Sequence, residues 1–263
     1  MSTQKISYKY RIYPKQIQIR KIFTMFEQAK SIHNELITLN IDTYKSTGKG
    51  LRKFDYDYIL VGKSKSTNLY SQTIQNISDR VDKSFQNFFR RVKSKEKKKG
   101  FPRMKKCYKS LTYPQSGFKF LNNKHLFISK IGNIPIVFHR VIKGKIKTMT
   151  IKRNKSGQWF VFFCNEIEII DVKHLSKDKV GIDVGLESFA TLSNGKIIEN
   201  PRFLTKSEKR LAILQRRLSG KKKGSKNRRK ARIKVARLHE RIFNQRQDFL
   251  HQQSTMLVKR FKI

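Results

Sequence analysis

The sequence predicts an α+β protein of more than one domain: a small β-barrel interrupted by a helical insertion, then a unit in which short strands lead into a helical hairpin. Apolar and polar residues alternate with a period of two near the amino terminus and again over residues 110–169. Between about residues 15 and 95 the period is helical. At Lys179 a new series of short strands begins, and two long arms with helical spacing follow.

The predicted barrel combines the first strand with six later ones. Residues 6–12 alternate as a half-buried strand does, and Pro14 ends that strand because proline cannot donate to a ladder. Six short alternating stretches follow between Leu111 and Ile169, separated by the turn sequences NNK, GN, KGK and NKSG. Short strands at hairpin spacing predict a small barrel or a sandwich, closed with the first strand. Trp159 is predicted in its core or at its rim, with base stacking as the weaker alternative.

The insertion contains two predicted helices. The first begins near Lys15 and places on one face Ile19, Ile22, Phe23, Phe26, Ala29, His33 and Leu36. The second has apolar residues at spacings of three and four, namely Ile74, Ile77, Val81, Phe85, Phe88 and Val92. Asn68 or Ser71 is predicted to cap the second helix. We interpret His33 as a packed side chain, because a lone histidine on an apolar face is rarely a ligand or a base.

Charge is the strongest compositional signal. Lys and Arg number 61 against 18 Asp and Glu, so the formal net charge is +43 at pH 7. A compact protein with this charge repels itself unless a polyanion neutralises it, and nucleic acid is therefore the predicted partner. A membrane surface is the weaker alternative, because no long helix shows a broad apolar face opposite its lysines.

Other bulk features exclude several classes of protein. Cys107 and Cys164 lack CxxC spacing, so neither a disulfide framework nor a zinc site is predicted within the chain. The first residues show no signal peptide, and no apolar stretch approaches the length of a membrane span. These features predict an intracellular, reducing location.

The stretch KVGIDVG, residues 179–185, sets a carboxylate between two glycines. Because alternate side chains of a strand share a face, one face is predicted to enter a core and consists of Val180, Ile182 and Val184. The other face carries Asp183 between Gly181 and Gly185. Glycines here would let a phosphodiester approach a carboxylate-bound Mg²⁺. For the heptapeptide alone, a solvent-facing aspartate on an open sheet is an equally good interpretation.

The helical hairpin that follows favours the first interpretation. Its arms have narrow apolar seams, formed by Leu204, Leu211, Leu214 and Leu218 and by Ala231, Val235, Leu238, Ile242, Phe249 and Met256. From Arg202 to Arg241 there are 17 Lys and Arg against two glutamates, Glu208 and Glu240. A lone acid beside such a surface would repel nucleic acid unless a divalent cation neutralised it.

The same residues resemble a known family. GIDVGLESFATLSNGKIIENPRFL, followed by the arm containing GSKNRRKAR, is similar to the first RuvC segment of the TnpB/OrfB family of transposon-encoded, RNA-guided DNA endonucleases, relatives of the type V CRISPR effectors. Upstream, YKYRIYP, GFPRMK, IPIVFHR and GKIKTMTIKRNKSGQWFVFF stand in the family's order. The resemblance covers essentially the whole chain.

The resemblance implies three domains. Residues 1–14 and 100–178 would form a wedge-like β-barrel, residues 15–99 a helical recognition insertion, and residues 179–263 an incomplete RuvC/RNase H-like domain. Asp183 matches the first of three catalytic carboxylates, which bind Mg²⁺ in the family.

The resemblance also implies nucleic-acid contacts with a guide RNA and a target DNA. The hairpin positions that match those against the guide–target heteroduplex are Lys221, Lys222, Lys223, Lys226, Arg228, Arg229, Arg232 and Arg237. Ser71, Gln72 and Gln75 lie on the helix that faces the motif flanking the target, and an ordinary surface helix is an equally good interpretation of each. Residues 200–203, NPRF, are expected to end the third strand and start the helix.

The sequence also departs from the family. The family's later glutamate-bearing strand, zinc-binding cysteine cluster and final aspartate are not found in these residues. We therefore expect that this polypeptide alone does not cut DNA, that VGIDVG forms an exposed sheet edge, and that residues beyond Lys179 are marginally stable unless a separately encoded carboxyl-terminal piece joins them.

Two other functions remain open at this point. One is a transposon-derived RNA- and DNA-binding or repressor protein that does not cleave, and the other is an unrelated basic RNA-binding protein such as a ribosomal component. The second does not explain why a glycine-flanked aspartate precedes the basic hairpin. For a TnpB-type protein or its non-cleaving derivative, a cytoplasmic location at the nucleoid is expected.

Overall fold

A computed structural model describes residues 3–168 and 178–261. The chain divides into two compact units. The first, named the amino-terminal unit, comprises Met1–Asn154 and Gln158–Ile169, and the second, the carboxyl-terminal unit, comprises Lys155–Gly157 and Ile170–Ile263. The predicted α+β class is confirmed. The finer division of the first unit into a barrel and an insertion stays a prediction.

The amino-terminal unit contains a seven-stranded antiparallel sheet curled into a half-barrel. Its strands are β1 (Thr3–Ile12), β2 (Ser110–Pro114), β3 (Phe118–Asn122), β4 (His125–Ile128), β5 (Gly132–Val137), β6 (Lys145–Arg153) and β7 (Trp159–Glu168), in the order β2-β6-β7-β1-β5-β4-β3. The six later strands fall where the alternation predicts them. β1 lies at the centre, paired with β7 from Thr3↔Glu168 to Ile12↔Trp159 and with β5 at its end.

Four helices lie between β1 and β2. They are α1 (Gln16–Thr47), α2 (Lys53–Ile59), α3 (Lys63–Ser66) and α4 (Ser71–Lys93). α1 and α4 are predicted from the sequence, whereas α2 and α3 are not, because each is too short to show a period. α1 ends at Gly48, whose φ of 70° is the left-handed conformation that glycine adopts most readily.

The N-cap of α4 is Tyr70, so the prediction of Asn68 or Ser71 is wrong. The tyrosine is held by tertiary contacts: its ring stacks on Tyr113, and its hydroxyl lies 2.9 Å from the Ser116 hydroxyl. These contacts fix where the chain enters the helix. Local capping preference therefore does not decide the boundary.

One hydrophobic core joins the helices to the concave sheet. Thirty buried side chains of the described residues belong to it. At its centre, Phe163 of β7 contacts the rings of Tyr10, Phe118 and Phe120. Trp159 is buried in this core, as predicted. Phe23, predicted on the buried face of α1, is instead partly exposed at the edge of the core.

The carboxyl-terminal unit has a three-stranded sheet and a helical hairpin. Its elements are β8 (Ile182–Asp183), β9 (Ser188–Leu192), β10 (Ile197–Glu199), α5 (Phe203–Ser219) and α6 (Lys226–Arg260), with the strand order β10-β9-β8. The predicted Asn194–Gly195 turn joins β9 to β10. β10 ends and α5 begins on either side of the NPR sequence, as predicted. None of the helices in the described ranges is long and apolar enough to cross a membrane.

Candidate nucleic-acid interface

Asp183 lies on β8 with its side chain exposed. β8 pairs with β9 through Ile182↔Leu192 and Asp183↔Thr191, and it is the edge strand of the three-stranded sheet. The aspartate is therefore open to solvent, as a carboxylate that binds a metal ion and a phosphate must be. The expectation that this strand forms a sheet edge agrees with the pairing of the described residues.

The apolar face predicted for this strand is only partly buried, and the prediction for Ile182 and Val184 is wrong. Val180 packs against Leu192, Leu257 and Phe261, but Ile182 is 40% and Val184 68% exposed. The physical reason is the short pairing: β8 has two residues at the edge of the sheet, and none of residues 178–261 covers these two side chains.

Gly185 has a structural explanation within the turn. A Cβ built on it would lie 3.2 Å from the carbonyl oxygen of Ser188, closer than most Cβ contacts. A Cβ on Gly181 would lie 3.5 Å from Cβ of Ser193, which is ordinary contact. The absence of a Cβ therefore matters for packing at Gly185, whereas the contacts at Gly181 would also admit one. Close approach of a phosphate to the same backbone stays a prediction.

A β-bulge interrupts the pairing of β9 with β10. The register shifts at Ile198 and Glu199, so that Glu199 pairs with Ser188. As a result the Ser188 and Thr191 hydroxyls lie 3.4 Å apart, although they are three residues apart in the chain. Thr191 is the direct partner of Asp183, so the two side chains share one face of the sheet. Residues 3–168 and 178–261 contain no group of three or more His, Cys, Asp or Glu side chains placed to hold a metal ion.

The cationic hairpin presents most of its predicted contacts to solvent. The exposed members are Lys221, Lys222, Lys223, Lys226, Arg229, Arg232 and Arg237. α5 has 17 residues, so the loop lysines lie about 25 Å along the hairpin from Phe203. Because Phe203 and Phe189 of β9 both contact Phe249, the sheet lies at the opposite end of the hairpin from this loop. The lysines and Asp183 do not form one cluster.

Arg228 differs from its neighbours. Its guanidinium Nη1 donates to the carbonyl oxygens of Leu218 at 3.0 Å and Lys221 at 2.7 Å. Its backbone N–H donates to the Ser225 hydroxyl, which caps α6. The side chain thus adds a charged donor to carbonyls at and just beyond the end of α5, where a cation also meets the negative end of the helix dipole. The structure gives Arg228 a role in closing the hairpin.

Of the three polar residues predicted as contacts at the start of α4, two are exposed and one is held by hydrogen bonds within the protein. Ser71 and Gln75 are exposed. The Gln72 side-chain oxygen instead accepts hydrogen bonds from the backbone N–H and the hydroxyl of Ser116, at 3.3 and 3.0 Å. Gln72 therefore ties α4 to the turn between β2 and β3. Its role as a reader of a nucleic-acid motif stays a prediction.

A charged cluster in the amino-terminal unit is missed by sequence reasoning. Tyr108 contacts His33, and two cations, Arg80 and Lys105, lie over its ring at 5.9 and 4.7 Å from the centroid. These residues come from α1, α4 and the segment before β2, and only the fold brings them together. The histidine itself is predicted as a packed side chain, and it is buried. Burial, together with Lys105 and Arg80, lowers the pKa of His33 to about 4.

These features define the class of the protein: a strongly basic α+β protein whose carboxyl-terminal unit carries an exposed carboxylate on an edge strand. Comparison with known proteins agrees. Residues 162–262 match the family OrfB_IS605, described as "Probable transposase", and residues 1–49 match HTH_OrfB_IS605, described as "Helix-turn-helix domain". The chain belongs to the TnpB/OrfB family.

Two relatives and one solved structure give the extent of the similarity. The "Putative RNA-guided DNA endonuclease" of Streptomyces pristinaespiralis is 31% identical over 98% of this chain and 65% of its own length. The "Putative RNA-guided DNA endonuclease InsQ" of Escherichia coli K12 is 35% identical over 72% of this chain and 46% of its own. The chain thus spans about half to two thirds of these relatives.

The fold is also similar to a chain in the "Cryo-EM structure of the Cas12f1-sgRNA-target DNA complex". The TM-score is 0.54 at 12% identity, covering 97% of this chain and 78% of that one. The match to the helix-turn-helix family does not correspond to that motif in this protein. Residues 3–49 fold as strand β1 and one continuous 32-residue helix, α1.

Proposed function

We propose that this protein binds a guide RNA paired with a target DNA, and that Asp183 is one carboxylate of a Mg²⁺-dependent nuclease centre. The relatives' names support the activity, and the cationic hairpin of the carboxyl-terminal unit is the observation on which the proposal rests. Seven predicted cations are exposed along the loop and α6, so a polyanion can reach all of them. The same proposal places the protein at the nucleoid.

The dimensions of the hairpin suit a duplex. The loop lysines and the sheet are separated by about 25 Å along α5, which corresponds to about seven steps of a nucleic-acid strand at 3.4 Å each. One bound duplex could therefore contact the loop at one end while its backbone reaches Asp183 at the other. The hairpin would read the shape and the phosphates of the duplex, since lysines along a helix carry no base code.

The exposed carboxylate of Asp183 suits Mg²⁺ as one part of its coordination. Mg²⁺ prefers oxygen ligands and keeps several waters, so an exposed carboxylate beside substrate phosphates matches it. When bound, the ion would polarise a phosphodiester and activate a water. The chain's own part is to present the carboxylate on an open strand, with the Thr191 hydroxyl opposite it.

The binding proposal is tested with two matched lysine triplets. Lys221, Lys222 and Lys223 are changed to alanine together, and the control changes Lys97, Lys98 and Lys99, which form the chain's other exposed triplet. Binding of an RNA–DNA heteroduplex is measured from low to high salt. The hairpin variant should lower the slope of log K against log salt by roughly 0.9 for each lysine that neutralises a phosphate. Equal effects of the two triplets would count against a hairpin interface.

The metal proposal has its own test, which does not depend on cleavage. Mn²⁺ replaces Mg²⁺, and paramagnetic broadening of the amide signals of residues 181–185 is recorded. The broadening should disappear in Asp183→Asn and persist in Glu187→Gln, whose side chain is also exposed nearby. Identical broadening in both variants would contradict a metal site at Asp183. Cleavage of target DNA with guide RNA and Mg²⁺, abolished by Asp183→Asn, would overturn the expectation that this polypeptide alone does not cut.

A further inference from the structure

The cluster around Tyr108 holds two cations without an acidic partner. Lys105 and Arg80 are both half-buried. Among residues 3–168 and 178–261, no carboxylate lies within ion-pair distance of either. The charges that act on His33, Tyr108 and Lys105 are cationic: those of Arg80 and Lys105.

Other lysines of the same unit form ion pairs with acidic side chains. Lys53 is paired with Asp79 at 2.7 Å, Lys63 with Glu35 at 3.0 Å, and Lys147 with Glu166 at 2.6 Å. The pKa of Lys53 is raised by its partner Asp79. The pKa of Lys105 is instead lowered, by burial and by the charge of Arg80. The fold therefore neutralises several lysines internally but leaves this pair of like charges unrelieved.

Hydrogen bonds position both residues of the pair. Asn34 of α1 makes two hydrogen bonds to the backbone of Lys105, at 2.8 and 3.1 Å, and so fixes the position of that residue. The guanidinium of Arg80 donates to the Thr112 hydroxyl at 2.6 Å. The hydroxyl of Tyr108 lies 3.2 Å from Nδ1 of His33. A preorganised pair of cations costs a ligand little ordering entropy.

We infer that Arg80 and Lys105 form a binding site for one phosphate group of the nucleic-acid backbone. Partial burial strengthens an interaction with an anion, because water screens it less. A guanidinium presents donors in a geometry that matches phosphate oxygens, and an ammonium adds a point charge beside it. The anion would also relieve the repulsion between the two cations. The source of the phosphate rests on the proposed function, whereas the presence of the site does not.

His33 provides a direct readout of occupancy. Its ring faces Tyr108, and the charged groups that act on it are Lys105 and Arg80. A bound phosphate would offset their repulsion, so the pKa of His33 should rise from about 4 part of the way toward 6.5. Burial, the larger cause of the lowered pKa, would remain and would keep it below that value.

The test follows the His33 ring signals by NMR in the full chain during pH titration, with inorganic phosphate or with chloride at equal ionic strength. Phosphate should raise the pKa of His33 and chloride should not. In Arg80→Gln/Lys105→Gln the difference should vanish. The control, Lys83→Gln/Arg90→Gln, removes two exposed charges from the same helix as Arg80. In this control the difference between phosphate and chloride should persist. Lys105→Gln alone repeats the test with the Arg80–Thr112 contact intact.

Nucleic-acid arms identify the source of the phosphate. Single-stranded RNA, duplex DNA and an RNA–DNA heteroduplex are added in turn. The nucleic acid that raises the pKa of His33 is the source of the phosphate. The double variant should also lower the salt slope by roughly 0.7 to 0.9 for that arm. No shift of His33 with phosphate or any nucleic acid, or an equal loss in the control variant, overturns the site. Failure of all nucleic acids to bind the unmodified chain would overturn the proposed function, while the phosphate arm still decides the site.

Discussion

The two units of this protein are stabilised by different amounts of apolar packing. In the amino-terminal unit, helices α1 and α4 pack on the curled sheet and thirty described side chains join one core. The described part of the carboxyl-terminal unit has two clusters with three buried residues each, Leu192 with Leu257 and Phe261, and Leu211 with Leu238 and Ile242. The hairpin instead presents exposed Lys and Arg along both helices and the loop.

This difference indicates that the large core is in the amino-terminal unit, whereas the hairpin mainly provides a charged surface. A unit with a large core can place individual cations in fixed, half-buried positions, as it does with Arg80 and Lys105. A hairpin with a narrow seam devotes its surface to charge and gains little from burial, so it should depend more on a bound polyanion for its stability. Mutations and changes of pH can test this contrast, beginning with the largest expected effect.

The largest difference is expected from core truncations. Phe163→Ala removes a fully buried ring that contacts three other rings and should destabilise the protein by about 3–5 kcal/mol. Leu238→Ala in the hairpin seam should cost about 2 kcal/mol and open the hairpin alone. Hydrogen exchange during denaturant titration reports the two units separately. Loss of protection in the amino-terminal sheet on Leu238→Ala would contradict independent packing.

Acid should weaken the amino-terminal unit through His33. The pKa of this buried histidine is about 4 in the folded protein, against 6.5 for an ordinary histidine. Between these values the unfolded chain binds the proton and the folded one does not, so stability is lost as pH falls from 6.5 to 4. The loss is about 3 kcal/mol.

Denaturation at pH 6.5 and pH 4.5 measures this effect. The matched variant His33→Gln should lower stability at both values but reduce the difference between them. An identical pH dependence in His33→Gln and the unmodified chain would show that another group is responsible.

Substituting two glycines with positive φ distinguishes backbone strain from steric crowding of an added Cβ. A Cβ on Gly117, with φ of 87°, would lie 2.7 Å from the ring of Tyr70. A Cβ on Gly195, with φ of 82°, would meet nothing within 4 Å. Gly195→Ala should therefore cost about 1 kcal/mol from strain alone, and Gly117→Ala about 2–3 kcal/mol. Thermal unfolding compares them, and equal costs would mean that Tyr70 moves aside freely.

The smallest effects are expected from two adjacent arginines of α6. Arg228→Ala removes the donor to the carbonyls that end α5, so it should cost about 1 kcal/mol of hairpin stability. Arg229→Ala leaves stability unchanged, because its side chain is exposed, but should lower the salt slope of heteroduplex binding by roughly 0.9. Hydrogen exchange and salt titration are run on both. A stability loss in Arg229→Ala with a salt-slope change in Arg228→Ala would contradict this division of roles.

Much of the fold is predictable because it rests on periodicity. The alternation of β2 to β7 and the helical spacing of α1 and α4 reflect which face of each element is buried, and burial dominates both patterns. Short elements escape this reasoning. α2 and α3 show no period, and the N-cap of α4 is decided by the contacts of Tyr70 with Tyr113 and Ser116.

The candidate site residues also divide into those that the local sequence predicts and those that depend on tertiary contacts. Asp183 and the lysines of the hairpin loop are visible in the sequence because their neighbours in the chain define them. The exposure of Ile182 and Val184 is not visible, since it depends on what covers an edge strand. Nor are the structural roles of Arg228 and Gln72, whose hydrogen bonds reach residues seven to ten and 44 positions away.

The sequence by itself determined the class of the protein, its charge and the place of its carboxylate, because composition and strand period depend on neighbouring residues. Only the tertiary structure decided which cations remain free for a ligand. Arg80 and Lys105 lie 25 positions apart and meet over one tyrosine, whereas Lys53 and Lys63 are neutralised by acids from other helices. A charge acts through distance and burial, and the fold sets both.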